Sequence, residues 1–155
     1  MWLLPLLLLG SDLLTRARGG DLGAQWEAAR LSRKGQLGEL APKQAAVWYK
    51  QALERRVPGA CLEEALEAID RKREPEEWLQ CAAKGGVAEG QYLLGRVILN
   101  RIAAEDEPER FEGLAWVALA AKQGYGPAQR RWELLAAELP LEDLERVEQT
   151  TKKLR

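Results

Sequence analysis

The sequence predicts an all-α fold, a short α-solenoid of antiparallel helical hairpins closed by a C-terminal capping helix. Three observations carry that expectation. Ala, Leu, Glu, Arg and Gln dominate while Ile, Val, Thr and Phe are scarce, a choice of residues that favours helix over strand. A Trp stands four residues before an Ala three times, in Trp48 and Ala52, Trp78 and Ala82, and Trp116 and Ala120, so that each pair shares a helix face. Eight residues after each of these Ala residues comes a small residue, Ala60, Gly90 or Ala128. With Ala24 upstream, this slot recurs at intervals of 36, 30 and 38 residues, and a period of that length marks a repeat array.

Taken in order, residues 1–18 open with the apolar run Trp2 to Leu9, shorter than the roughly 20 residues of a membrane-spanning helix. Two readings stay open. The run has the length of a secretory h-region, although no Lys or Arg precedes it and no Ala-x-Ala site follows. Alternatively it is a hydrophobic helix that covers the open end of the core. Leu8-Leu9-Gly10 approaches a lipoprotein cleavage site, but Ser11 stands where the acylated Cys would be, which excludes lipid attachment there. Any membrane association is expected through this segment alone.

Residues 19–139 form the array. After each small residue comes Gln25, Cys61, Gln91 or Gln129. Breakers divide each unit into two helices: Gly35, Gly38 and Pro42 in the first, Pro75 in the second and Pro108 in the third. Between units lie Pro58-Gly59, Gly85-Gly86 and Gly124, where glycine takes the left-handed conformation that ends a helix. Ala28-Ala29, Ala65, Gly95 and Ala121 let helices approach closely, and Trp48, Trp78 and Trp116 are expected to fill the gaps between hairpins. Residues 140–155, with Leu141, Leu144, Val147 and Leu154 on one stripe of a charged helix, are expected to cover the face the last hairpin would otherwise expose.

This pattern resembles the Sel-one-like repeats, relatives of the tetratricopeptide repeats. Their units run Gly-x-Ala-x-Ala-Gln, a Leu-Gly pair, then Ala-x-x-Trp-Tyr-x-x-Ala and a terminal Gly. The first unit matches at Ala24-Gln25, Ala45, Trp48-Tyr49 and Ala52; the third at Ala88, Gly90-Gln91, Leu94-Gly95, Trp116 and Ala120 to Gly124. Gly124 to Gln129 begin a fourth. The second unit departs: its inner connection is short, Ala65 replaces the Gly and Cys61 the Gln. The resemblance implies three to four stacked repeats and a role as an adaptor or scaffold. Exported bacterial members include periplasmic assembly factors and immunity partners of secreted toxins.

A stack of hairpins has a concave surface lined by the first helix of each unit, and such surfaces bind proteins. The polar and aromatic non-core positions there, Trp26, Arg30, Arg33, Glu63, Glu67, Tyr92, Arg96 and Asn100, are the expected partner contacts. The expected function is non-catalytic protein binding, in the periplasm or outside the cell. A structural envelope factor and a cytosolic adaptor are the alternatives.

The remaining chemistry weighs against other classes. The chain has no His, which removes the commonest general base and metal ligand. The acidic turn Glu63, Glu64 and Glu67 reads as a solvated face rather than a carboxylate pair with separated pKa values. Neither an enzyme nor a cofactor nor a small-molecule substrate is expected. The 23 Lys and Arg nearly balance the 24 Asp and Glu, and Arg130-Arg131 and Lys152 to Arg155 are too short and diluted to mark a nucleic-acid site. Gly85-Gly86 lacks the Gly-Lys-Ser/Thr of a phosphate loop. Cys61 and Cys81, without His or close Cys pairs, fall short of a zinc site. They form a disulfide in an oxidising compartment, or remain ordinary buried thiols in the cytosol.

Overall fold

The computed structural model describes residues 12–38, 41–101 and 107–155. The apolar run Trp2 to Leu9 lies outside them. The described residues hold nine helices and no strand, as the composition requires: residues 12–18 (α1), Leu22–Arg33 (α2), Pro42–Glu54 (α3), Pro58–Asp70 (α4), Glu76–Lys84 (α5), Ala88–Arg101 (α6), Glu107–Lys122 (α7), Gly126–Glu138 (α8) and Leu141–Lys153 (α9). The prolines read as breakers stand at helix starts, whereas Gly35 and Gly38 lie in the turn after α2 and Gly59, expected as a left-handed helix end, lies inside α4. Pro42 and Pro58 open α3 and α4, Pro75 precedes α5, and Pro108 and Pro127 lie in the first turns of α7 and α8, where a missing N–H costs nothing.

The helix ends repeat one device. The N–H of a residue with positive φ bonds three residues back, and the next N–H reaches five residues back, which satisfies carbonyls left over by the helix. Gly20, Arg56, Gly86 and Gly124 hold this position at successive unit boundaries, and their intervals reproduce the 36, 30 and 38 of the small-residue slot. Gly35 and Lys72 hold it at inner turns.

The chain divides into two compact units, residues 1–60 and 61–155, a division that falls within the array of residues 19–139. In the first, α2 packs on α3 around Leu14, Ala17, Ala24, Ala28, Ala45 and Trp48. Alanine supplies most of this core, so helices lie close and Trp48 fills the space between them. Trp26 lies over the backbone at Gly59, where a Cβ would stand 2.4 Å from the ring.

In the second unit α5 packs on α6, α6 on α7, and α7 on both α8 and α9. Leu79, Leu94, Ile98, Trp116 and Leu119 form its largest buried cluster. Trp116 is buried as expected, whereas Trp78 is only partly buried and its neighbour Leu79 takes the core position. The α6–α7 approach is closest at glycine: a Cβ on Gly95 would meet Gly113 O at 2.7 Å, and one on Gly113 would meet Leu99 Cγ at 2.9 Å. Cys61 and Cys81 are joined, with Cα atoms 6.0 Å apart and a sequence separation of 20. Such a loop stabilises by about 3 kcal/mol on the chain-entropy argument.

The C-terminal helix is a cap, as expected, and the surface it covers is α7. α9 buries Val147 against Phe111, Leu114 and Ala115 of α7, and Arg110 and Arg146 of facing helices reach Asp143 and Glu107 at 3.9 and 3.7 Å. It therefore caps α7. It leaves an open groove of about 500 Å³ between itself and α8.

Candidate functional site

Two glutamines show how the repeat register positions side chains. Gln25 Nε2 donates to Ala17 O at 3.0 Å and Gln91 Nε2 to Ala83 O at 3.2 Å, each eight residues back, so the start of α2 is clasped to the end of α1 and the start of α6 to the end of α5. Gln91 Oε1 accepts from Gln123 Nε2 at 2.7 Å. Gln25 Oε1 is buried with no hydrogen-bond partner among the described residues. In the second unit this slot is Cys61, whose sulfur is spent on Cys81.

With Gln25 and Gln91 in one register, Trp26 matches Tyr92 and Arg30 matches Arg96. Both pairs form the same contact. The Arg30 guanidinium lies 5.7 Å from the Trp26 ring centroid, and that of Arg96 lies 5.6 Å from Tyr92. Glu27 orients Arg30 by accepting from its Nε at 2.9 Å, and this bond holds the Glu27 carboxyl below its ordinary range. Arg33 sits over Tyr49 of α3 at 4.5 Å. Tyr125, at the start of α8, packs on Tyr92 with centroids 5.6 Å apart. Burial, followed by the negative charge of Glu89, raises the Tyr125 phenol above its usual value.

The structure thus joins Trp26 to Arg30 and Tyr92 to Arg96, and adds two rings that sequence reasoning missed, Tyr125 against Tyr92 and Tyr49 under Arg33. Tyr49 was read only as a repeat residue, and Tyr125 was not singled out. The signal for Tyr125 was present, since it directly follows the left-handed Gly124, as Asp21 follows Gly20. Glu63 and Glu67 fall one position away from this register. The matching residues of α4 are Leu62 and Leu66, and Glu67 is engaged instead with Arg71 at 2.6 Å. Asn100 is exposed at the end of α6. In α8 the matching pair is Arg130 and Leu134, the latter 65% exposed.

At the entrance to α2, Asp21 Oδ1 accepts from Ala24 N–H at 2.9 Å and Oδ2 from Arg16, which together hold the Asp21 carboxyl below its ordinary range. No group of three or more His, Cys, Asp or Glu placed to hold a metal occurs among the described residues, and no described helix is long and apolar enough to cross a membrane.

Compared with known proteins, the chain matches no family model and no curated protein sequence. The likeness to Sel-one-like repeats therefore rests on the residues quoted for it.

Proposed function

We propose that this chain is a non-catalytic protein-binding module of the Sel-one-like kind, exported to an oxidising compartment, where it acts as an adaptor or as a regulatory or immunity partner of another protein. The observation that carries the reading is the pair of matched contacts, Arg30 on Trp26 and Arg96 on Tyr92. Trp, Tyr and Arg supply most of the binding energy at protein interfaces. An arginine stacked on a ring presents its donor fork already oriented, so less freedom is lost when it meets a partner's carboxylate or carbonyl. The Cys61–Cys81 bridge supports the compartment.

The test is the combined variant Arg30→Ala, Tyr92→Ala and Arg96→Ala, compared with the wild type for affinity to a partner recovered from the native cells. A loss of at least about tenfold in affinity is expected, and Arg30→Ala with Arg96→Ala alone, which keeps the Tyr92–Tyr125 packing, separates that loss from any loss of stability. Full retention of the partner removes the reading. An envelope-assembly role carried by the apolar run Trp2 to Leu9 would instead show as lost localisation, with folding intact, when residues 1–18 are deleted.

A further inference from the structure

In the third unit, α6 meets α7 through Gln91, Leu94 and Gly95. Leu94 is buried, Gln91 pairs with Gln123, and Gly95 lies against the α7 backbone. The same register in α8 reads Gln129, Trp132 and Glu133. These three residues line the groove, because α9 packs on α7. The surface that a hairpin's second helix covers in the third unit is therefore only partly covered in the fourth, where Trp132 is half-buried beside Val147 and Gln129 and Glu133 are exposed. Ala118 and Ala121 of α7 form part of the groove lining, and α9 contributes Glu148.

We propose that this groove receives a helix of a partner protein whose apolar stripe is flanked by a lysine or arginine. A helix fits because the register places here the helix-packing surface of α6, and small alanines on the floor let a backbone come near. The cation follows from Glu133, which stands where α6 has Gly95. Its carboxylate lines the groove with no ion pair among the described residues, whereas Glu148, also in the lining, is paired with Lys152 at 3.3 Å, so Glu133 is the acid left for a partner's cation. A purely hydrocarbon occupant would desolvate Gln129 and Glu133 without pairing them, which is costly. Neither Arg30 nor Arg96 is in the groove lining, whereas Tyr92 packs on the cluster that Ala121 and Trp132 of the groove also join, so the two sites are told apart through the arginines.

The test uses the full chain and two labelled synthetic peptides of about 20 residues with the same leucine–alanine stripe. One carries arginine beside the stripe and the other glutamate, and binding is read by fluorescence polarisation. The arginine peptide is expected to bind at least about tenfold more tightly than the glutamate peptide. Glu133→Arg with Glu148→Arg reverses that order, and Ala118→Trp, which fills the floor, weakens both by a similar factor. The variant Arg30→Ala with Arg96→Ala, which leaves Tyr92 in place, binds the arginine peptide as the wild type does. Should Ala118→Trp fail to fold by circular dichroism, the charge-reversed variant, altered only at exposed residues, still decides. The proposal is overturned if neither peptide binds at about 1 mM, or if charge reversal leaves the preference unchanged. It is equally overturned if dodecanoate competes for the groove, or if the chain alone sediments as a dimer that Ala118→Trp dissociates.

Discussion

Lys72 and Arg56 stand at φ 54° and 55°, in the left-handed region where the other helix ends of this kind carry Gly20, Gly35, Gly86 and Gly124. A side chain there crowds the following carbonyl, at a cost of about 1–2 kcal/mol. Lys72→Gly is therefore expected to raise stability by about 1 kcal/mol, measured by urea unfolding. Arg56→Gly should gain less, since the Arg56 side chain has interactions of its own to lose. Gln25 offers a second test at this scale. Its Oε1 lacks the partner that Gln123 gives Gln91, and the residue in register with Gln123 is the exposed Arg55. Arg55→Gln is expected to restore the amide pair and add about 1 kcal/mol; no gain would mean that the end of α3 is not placed like that of α7. The glutamine slot was visible in the sequence, but its role as a clasp was not, because the bond goes to a backbone carbonyl whose exposure depends on the preceding helix end.

Among the elements, α6 and α7 make the tightest pair, and Gly95 and Gly113 permit it. A methyl on Gly95 would stand 2.7 Å from Gly113 O and 2.8 Å from Val117 Cγ2, so one helix must move. Gly95→Ala is expected to lower stability by about 1–3 kcal/mol, read from the denaturation midpoint, even though Ala is the better helix former. The N-cap of α2 makes a pH prediction. Because the Asp21 carboxyl is held below its unfolded value of about 4, the ionised form favours folding; its contribution is complete above that pH and is lost as pH falls through the folded value. Asp21→Asn keeps a capping oxygen but not the charge paired with Arg16. Its melting temperature should lie below the wild type's at neutral pH and approach it in acid, and a constant gap would contradict this. The starts of α3, α5 and α7 were legible, since Pro42, Pro75 and Pro108 mark them by a local rule, whereas Pro58 was read as a turn and opens α4. The placement of α9 was not legible. Its stripe showed that one face is buried, but the choice of α7 as the surface depends on Phe111 and on the Arg110 and Arg146 contacts, which no local pattern encodes.

For the molecule as a whole, the repeat intervals of 36, 30 and 38 residues return in the left-handed positions at Gly20, Arg56, Gly86 and Gly124, so the fold class was legible from composition together with spacing. The division at residues 60 and 61 was not, because spacing carries no information on how strongly consecutive hairpins are joined. Of the candidate contacts, the Trp26–Arg30 and Tyr92–Arg96 pairs were legible as polar and aromatic positions on one helix face. The acidic residues chosen on α4 lie one position off, since the register rather than the charge identifies the slot. The central claim is that this array works with its bridge closed, outside the reducing cytosol. Alkylation of protein isolated from its native cells under thiol-trapping conditions, followed by peptide mapping, tests it most directly. The account predicts one disulfide-linked peptide pair containing Cys61 and Cys81, with no alkylated thiol. Two alkylated cysteines would place the working protein in a reducing compartment and contradict the account.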